Sequence, residues 1–350
     1  MLKKLIVILG PTASGKSELA IKLAKKLAPY QTEDSGAGFN GEIISADSRQ
    51  VYKGMDIGTG KVTPDTNPAL YVASNYFSMP RERDSTGQAK KKDIFTYKGI
   101  PHYCIDVASP KRRFTVVQYR KLALKAINKI QKKNKIPILC GGTGFYIQAV
   151  VDGILIPEVK PDWKLRKKLE KKSPKELYRI LKKLDPRRAK TIEKENPRRL
   201  IRAIEIVLKT KKPVPPLKFN PLPYPVLMIG VKRPKKELKQ RIKERFFEWL
   251  KRGIILEVIK LRKMGVSFKR IEEFGMHYRE IAKYLQNKID EKEMIENSIK
   301  EIQNYAKRQM TWFTHQNFAP QNLGGFKRDK RIHWVKTQKE AERLVKEFLK

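Results

Sequence analysis

The chain has 350 residues, enough for one large α/β domain and a smaller satellite domain, and 40% of them are hydrophobic, which can fill a sizeable core. No stretch approaches the roughly 18 consecutive apolar residues of a membrane-spanning helix, and no signal peptide is recognisable at the N-terminus. The two cysteines, Cys104 and Cys140, share no metal-ligand spacing with the four histidines. We therefore expect a reducing, cytoplasmic compartment, no membrane partner, and neither structural zinc nor disulfides.

Net charge is the strongest compositional signal. The 78 Lys+Arg residues against 36 Asp+Glu residues leave a charge of +42, and the basic residues run through the whole length. A folded surface this positive attracts polyphosphates over long distances. A solvated, lysine-rich surface accounts for the same composition about equally well, so charge alone leaves nucleic-acid binding undecided.

The first 157 residues alternate between predicted strands and helices. Leu5–Leu9 predicts a strand, and the leucines that recur every four residues from Leu19 to Leu27 predict a helix. Further predicted elements are strands at Glu42–Ser45, His102–Val107 and Ile136–Cys140, and a helix carrying Leu122, Ala126 and Ile130. This alternation indicates an α/β fold with a parallel sheet covered on both faces. Residues 62–100 interrupt it with prolines and a polar run, and predict a long surface insertion.

The composition changes after Gly153, and residues 158–216 are predicted to form a small inserted helical domain. Its helices are Lys-rich, and the proline-rich stretch Pro213–Pro225 closes it. The core domain is predicted to resume over residues 217–350. Its elements there are a strand at Val226–Val231, a long helix carrying Leu238, Ile242, Phe246 and Leu250, a helix over Ile295–Met310, a loop at Gln316–Gly325, a short strand near Ile332–Val335 and a closing helix.

A phosphate-binding loop lies between the first predicted strand and the first predicted helix. It matches the pattern G-x-x-x-x-G-K-[ST] and consists of Gly10, Pro11, Thr12, Ala13, Ser14, Gly15, Lys16 and Ser17. In such a loop the backbone N–H groups and the helix N-terminus attract phosphate, the lysine reaches terminal phosphates, and the Ser17 hydroxyl can hold Mg²⁺. The context favours a P-loop NTPase-like sheet over an ordinary glycine turn. It leaves open whether the ligand is ATP or another diphosphate.

Polar residues also follow two later predicted strands. Asp47 stands just after the second strand, where open α/β sheets form their binding crevice. A carboxylate there can act as a base, or it can bind metal and orient an acceptor, and the pattern alone does not separate these roles. The segment Gly141–Tyr146 follows the fourth strand and offers the Thr143 hydroxyl, although a structural turn would also explain its glycines.

Two basic segments lie farther along the chain. Within Asn196–Glu205, Arg198 and Arg202 share one helical face and Arg199 is offset from them. The segment Tyr305–Phe313 interleaves basic and aromatic residues. Both segments fit RNA contact, and both fit a solvated basic face or aromatic core packing as well.

Taken in order, several strings make the chain similar to the tRNA dimethylallyltransferase (tRNA isopentenyltransferase) family in its bacterial form. They are GPTASGKS, ISADSRQVYKGMDIGTGK, PHYCIDV, FTVVQY, GGTGFYIQAVVDG, NPRRLIRAIE, GMHYREI and YAKRQMTWF, and they extend over nearly the whole chain. Each string is modestly specific, and the ordered set leaves little room for coincidence. The resemblance implies transfer of a dimethylallyl group from dimethylallyl diphosphate to N6 of the adenine next to the anticodon of tRNA, with release of diphosphate.

The resemblance also implies roles for individual residues. The P-loop would grip the donor diphosphate, with Lys16 catalytic and Mg²⁺ held at Ser17. Asp47 would accept the proton of the adenine amino group, and Thr143 would lie near the reaction channel, both in contact with tRNA. The other residues implied to contact tRNA are Ser48, Arg49, Gln50, Arg166, Arg198, Arg199, Leu200, Ile201 and Arg202, of which Arg202 is also implied to be catalytic. The helical domain would clamp the anticodon stem-loop, and a monomer without an obligate protein partner is expected.

Two segments, residues 62–100 and 314–326, are longer than the family pattern, which leaves the details of tRNA docking open. Three other activities stay under consideration. The acceptor could be free AMP, ADP or ATP, as in related cytokinin-forming synthases; the P-loop could serve a small-molecule kinase; or the protein could bind RNA without catalysis. The strongly basic charge argues against a free nucleotide acceptor, and the intact Lys16, Ser17 and Asp47 argue against a non-catalytic role.

Overall fold

The computed structural model describes residues 3–26, 41–65, 95–155, 157, 159–216, 218–314 and 331–350. The chain forms two compact units, a larger one of Met1–Gly153 with Pro221–Lys350 and a smaller one of Ile154–Asn220. The predicted helical domain, residues 158–216, lies inside the smaller unit. None of the helices in the described ranges is both long and apolar enough to cross a membrane.

Strands and helices alternate in the first part of the larger unit, whereas helices predominate after Val231 and in the smaller unit. The strands are β1 (Leu5–Leu9), β2 (Gly41–Ser45), β3 (Phe95–Tyr97), β4 (Ile100–Tyr103), β5 (Ile136–Gly141), β6 (Ile154–Leu155), β7 (Lys218–Phe219), β8 (Val226–Val231) and β9 (Ile332–Val335). The helices are α1 (Lys16–Lys26), α2 (Val116–Gln131), α3 (Gly144–Val151), α4 (Trp163–Leu169), α5 (Pro174–Leu184), α6 (Pro186–Thr191), α7 (Pro197–Thr210), α8 (Lys235–Lys251), α9 (Ile254–Lys263), α10 (Phe268–Phe274), α11 (Met276–Tyr284), α12 (Glu291–Thr314) and α13 (Gln338–Leu349).

Seven strands form one sheet in the order β3-β4-β2-β5-β1-β8-β9. All neighbours pair in parallel except β3, which runs antiparallel to β4 at one edge. At the centre, Ile6 of β1 lies opposite Ile138 of β5 and Leu227 of β8. The predicted α/β fold with a parallel sheet is therefore confirmed.

Two predictions about the sheet edge were wrong in detail. The third predicted strand, His102–Val107, ends at Tyr103, because Cys104 and Asp106 have left-handed φ angles of 62° and 52° that turn the chain out of the sheet. The predicted surface insertion also supplies the edge strand β3, so its last residues belong to the core. Residues 66–94 of that insertion and the predicted loop Gln316–Gly325 lie outside the described residues.

The core lies on both faces of the sheet because the side chains of the fully buried strand β1 alternate. Leu5, Val7 and Leu9 pack into one apolar cluster, and Ile6 and Ile8 pack into the other. Helices cover both clusters, which explains why β1, β5 and β8 consist almost entirely of apolar residues.

The smaller unit has a core of its own. In α5 the capping box of Ser173 and Glu176 satisfies the first backbone N–H groups, and Leu177 and Leu181 are fully buried. Leu200 of α7 packs into the same cluster. These apolar faces explain why the Lys-rich segment folds as a unit.

The helix α8 offers a matched test of core packing. Phe246 is fully buried, whereas its neighbour Phe247 is 39% exposed. We expect Phe246→Ala to lower the free energy of unfolding by about 3–5 kcal/mol, since it removes a buried ring and leaves a cavity. Phe247→Ala should cost less than about 1 kcal/mol. Urea unfolding of both variants measures the difference, and equal losses would contradict this description of the core.

Candidate active site at the carboxyl edge of the sheet

Three central strands of the sheet end at one edge and feed the loops of the site. The P-loop follows β1, Asp47 follows β2, and Gly142 and Thr143 follow β5. Because these strands are parallel, their carboxyl ends meet along one crevice, the usual ligand site of open α/β sheets. Residues nearly 100 positions apart in sequence are thereby neighbours.

The P-loop has the backbone geometry that its glycines predict. A Cβ atom on Gly10, whose φ is 155°, would lie 2.7 Å from the Val231 carbonyl oxygen, so only glycine fits beside β8. Ala13 adopts a left-handed φ of 61°. Lys16 opens α1 and its Nζ donates to the Pro11 carbonyl at 3.1 Å, which folds the side chain back over the loop.

Three arginines of the β8–α8 region donate hydrogen bonds to oxygen atoms of the P-loop. Arg233 Nε donates to the Ser14 carbonyl at 3.2 Å, and Arg241 Nε donates to the Ala13 carbonyl at 3.0 Å. Arg245 Nη1 donates to the Thr12 hydroxyl at 3.4 Å. These bonds engage loop oxygens with cations, which increases the positive charge around a phosphate site.

Gln309 of α12 joins two of the loops. Its Oε1 accepts from the backbone N–H of Thr12 at 2.8 Å, and its Nε2 donates to the Gly142 carbonyl at 2.8 Å. The buried amide thus fixes the distance between the P-loop and the loop that follows β5.

A cleft brings together the P-loop and the predicted acid. Asp47 Oδ1 accepts from the backbone N–H groups of Arg49 and Gln50 at 2.7 and 3.3 Å, which orients the carboxyl group. The cleft is lined by Thr12, Lys16, Ser17, Asp47, Arg49, Gln50, Gly58, Thr59, Gly60, Cys140, Gly141, Arg245, Trp249, Met276, His277, Ile302, Tyr305 and Gln309. A loop with the phosphate-binding sequence pattern and a group that can take a proton therefore face the same space.

The electrostatics of this cleft favour an anionic ligand. Burial lowers the pKa of Lys16, a shift that Cys140 and Asp47 oppose and Arg245 increases. Burial likewise lowers the pKa of Arg245, and Asp47 opposes that shift. The charges of these two enclosed cations are only partly compensated by the Asp47 carboxylate, so an entering diphosphate would stabilise their charged forms.

Thr143 supports the site from behind the cleft wall. Its hydroxyl accepts from the backbone N–H of Ser48 at 3.0 Å, and it also forms a hydrogen bond with Tyr305. Burial, with Asp47 nearby, raises the pKa of Tyr305 to about 12. Arg49 is fixed by its Nε bond to the Phe274 carbonyl at 2.9 Å.

Apart from Arg49, the predicted tRNA-contacting arginines belong to the smaller unit and divide into two pairs. Arg166 and Arg202 both bind the buried carboxylate of Glu205. Arg198 and Arg199 are exposed in the first turn of α7, where Arg199 pairs with Glu193 at 2.8 Å.

Leu200 and Ile201 occupy positions that do not fit the predicted tRNA contact. Their side chains are buried in the core of the smaller unit, so a contact of these side chains with tRNA is incompatible with this packing. The motif is continuous in sequence, but on a helix its apolar members turn inward while the arginines stay at the surface.

Sequence reasoning did not identify several residues of the cleft, among them Arg245, Trp249 and His277. The Arg245 guanidinium lies 4.7 Å from the centre of the Trp249 ring, and the His277 ring centre lies 5.1 Å from that of Trp249. The spacing of Arg241, Arg245 and Trp249 four residues apart was an available signal. The apolar stripe of the same helix obscured it.

Mg²⁺ fits this donor set as a ligand shared with phosphate. The Ser17 hydroxyl and the Asp47 carboxylate both line the cleft. Among the described residues no group of three or more His, Cys, Asp or Glu side chains could form an all-protein metal site. Mg²⁺ commonly keeps several waters and binds through one or two protein oxygens together with substrate phosphates, so few protein ligands suffice.

The fold and the cleft define a P-loop enzyme of the α/β class, with a phosphate loop opposed by an acid. A family model described as IPP transferase matches residues 86–316. The chain belongs to the IPP transferase family. Among relatives, the tRNA dimethylallyltransferase of Acetivibrio thermocellus is 38% identical over 88% of each chain, and that of Carboxydothermus hydrogenoformans is 36% identical over 99% of this chain and 96% of the relative.

Solved structures agree with this family assignment. The tRNA isopentenylpyrophosphate transferase of Bacillus halodurans has a TM-score of 0.61 and 29% identity, covering 99% of this chain and 95% of that one. A eukaryotic dimethylallyltransferase described as acting on tRNA has a TM-score of 0.61 and 26% identity, covering 90% of this chain and 71% of that one.

His277 should make stability depend on pH. Burial, with the charges of Arg245 and Arg49, lowers the pKa of His277 from 6.5 to about 3. Below pH 6.5 His277 is therefore protonated in the unfolded chain but stays neutral in the folded protein. The free energy of unfolding consequently decreases as the pH falls from 6.5 toward 3. We expect a loss of about 1.4 kcal/mol per pH unit in that window, which His277→Gln should remove.

Urea unfolding between pH 4 and 8 measures this dependence as the difference between wild type and variant. His333→Gln is the matched control, because His333 is exposed. Parallel curves for the wild type and His277→Gln would show that His277 titrates normally.

Proposed function

We propose that the protein transfers a dimethylallyl group from dimethylallyl diphosphate to N6 of the adenine next to the anticodon of tRNA, releasing diphosphate. Its family membership and its relatives named tRNA dimethylallyltransferase support dimethylallyl transfer to tRNA. The observation that carries the finer assignment is the shared cleft of Lys16 and Asp47. We also propose that the protein is cytoplasmic and acts as a monomer.

The donor half of the cleft suits an allylic diphosphate. The bond between C1 of the dimethylallyl group and oxygen breaks, and its electron pair leaves with diphosphate. Lys16, Arg245 and the N-terminus of α1 stabilise the charge that develops on this leaving group. Mg²⁺ bound near Ser17 would supply further charge neutralisation to the same phosphates.

The acceptor half requires a base. An exocyclic adenine amine is a weak nucleophile, and as N6 bonds to C1 it must lose a proton. Asp47, oriented through the amides of Arg49 and Gln50, takes that proton. In this proposal Lys16 and Arg245 serve the leaving group, and the Asp47 carboxylate serves the nucleophile.

The acceptor is proposed to be an RNA loop because the adenine must leave its stack to enter the cleft. Unpaired loop nucleotides are the least costly to turn outward. Ser48, Arg49 and Gln50 directly follow Asp47 in the sequence and would contact the nucleotides next to the target adenine. The exposed Arg198 and Arg199 of the smaller unit would bind the phosphate backbone.

The role of Asp47 is testable by Asp47→Asn, which keeps the size of the side chain and removes its basicity. We expect kcat to fall by about 10²–10⁴-fold, the usual contribution of a general base, with tRNA affinity nearly unchanged. Rapid-quench transfer assays and filter binding of tRNA measure the two quantities. Glu18→Gln removes one charge from an exposed acid of α1 and serves as control. Full activity of Asp47→Asn would exclude the proposed base.

The identity of the acceptor is tested by competition between AMP and an anticodon stem-loop for labelled dimethylallyl diphosphate. We expect the label in the stem-loop at equal acceptor concentrations, with a rate that falls steeply as salt rises, because backbone contacts release counterions. Mass spectrometry locates the modified base. Preferential labelling of AMP would point to a free-nucleotide acceptor instead.

A further inference from the structure

One wall of the cleft is the backbone of the segment Asp56–Lys61, which we call the wall loop. Three of its residues, Gly58, Thr59 and Gly60, line the cleft directly. Gln50 Nε2 donates to the Thr59 carbonyl at 3.2 Å and thereby connects the wall loop to the turn behind Asp47. The wall loop contributes no acidic or basic side chain to the cleft lining, so it can affect the cleft only through its position.

A buried carboxylate holds the start of the wall loop. Glu257 of α9 is only 7% exposed, and it accepts from the backbone N–H groups of Asp56, Ile57 and Gly58 at 2.7, 2.6 and 3.2 Å. The Tyr278 hydroxyl adds a fourth bond at 2.7 Å. In the described part of the chain no Lys or Arg forms an ion pair with Glu257, so amides and a hydroxyl satisfy it. Burial raises the pKa of this carboxyl group, and these bonds oppose the shift.

A buried cation holds the other end of the wall loop. Lys61 Nζ is bonded to the carboxylates of Asp56 and Asp106 and to the Tyr52 carbonyl at 2.6 Å. The loop is therefore fixed at both ends by charged side chains inside the protein, an arrangement that leaves its middle little freedom.

The middle of the loop lies directly against Arg245 and His277. A Cβ atom on Gly60 would lie 1.6 Å from Arg245 Nη2, and one on Gly58 would lie 2.6 Å from His277 Nε2. Arg245 and His277 can lie this close to the backbone of the wall loop only because Gly58 and Gly60 have no side chain. A displacement of the loop by a fraction of an ångström must therefore move the Arg245 guanidinium or open a gap beside it.

We infer that Glu257 is a positioning residue that sets the place of the Arg245 guanidinium for the leaving diphosphate by clamping the wall loop through three backbone amides. Glu257 itself is not among the residues that line the cleft. This inference rests on the proposed function for the identity of the leaving group. The coupling between Glu257 and Arg245 does not depend on the proposed function.

A double-mutant cycle tests the inference with Glu257→Gln, Arg245→Ala and the combined variant. Glu257→Gln keeps the size of the side chain but presents an amide NH₂ to backbone donors. We expect the single change to lower kcat by about tenfold or more and to weaken binding of inorganic diphosphate, with KM for tRNA within about twofold. In the Arg245→Ala background the same change should have almost no further effect, because its target is already absent.

Tyr278→Phe is the matched control, because it removes the fourth bond to Glu257 and leaves the three amide bonds in place. We expect Tyr278→Phe and Glu257→Gln to lower Tm by comparable amounts. We expect Tyr278→Phe to lower kcat by less than about threefold. Glu257→Asp, which keeps the charge and shortens the reach, enters the cycle if Glu257→Gln does not fold.

The outcomes separate the two proposals. A wild type that binds diphosphate but transfers no dimethylallyl group would end the proposed function, while the diphosphate cycle would still measure the coupling. Additive effects of Glu257→Gln and Arg245→Ala on diphosphate binding would overturn the positioning role. A kcat loss in Tyr278→Phe equal to that in Glu257→Gln would overturn it as well, since general destabilisation would then explain both.

Discussion

Like-charged groups must be kept close together inside a partly enclosed cleft. Burial lowers the pKa of both Lys16 and Arg245; the charge of Arg245 lowers the pKa of Lys16 further, Arg252 and Arg241 lower that of Arg245, and Asp47 opposes both shifts. Such a cluster would spread apart if its side chains were free to move. The surrounding structure prevents this by holding the backbone that carries the charged side chains. An entering diphosphate would relieve the remaining repulsion between Lys16 and Arg245.

The supports of this cluster come from several elements that the sequence does not place near one another. Arg233 and Arg241 donate hydrogen bonds to the P-loop, Gln309 joins it to the loop after β5, and Glu257 clamps the wall loop. Each bond uses a backbone group of a loop as partner. Loops that are poor in side-chain packing are thereby given the rigidity of the sheet that carries them.

The parts of the site that the sequence predicts are those whose chemistry is local. The P-loop is contiguous, and Asp47 is recognisable because it directly follows a buried strand. Arg245 and His277 reach the cleft from α8 and α11, more than 200 residues after the P-loop, and helix α8 shows an apolar stripe that gives no indication of what its other face meets. The end of β4 was missed for a similar reason, since the left-handed φ angles of Cys104 and Asp106 occur at residue types that do not announce them.

The two-sided use of Gln309 has a chemical consequence over the lifetime of the protein. The amide donates from one end and accepts at the other, so loss of its nitrogen by deamidation would leave an oxygen facing the carbonyl of Gly142. The new negative charge would also stand in the cleft beside the P-loop. A single hydrolytic event, without any change in the gene, would loosen the junction of two loops and disfavour an anionic ligand in the proposed diphosphate site.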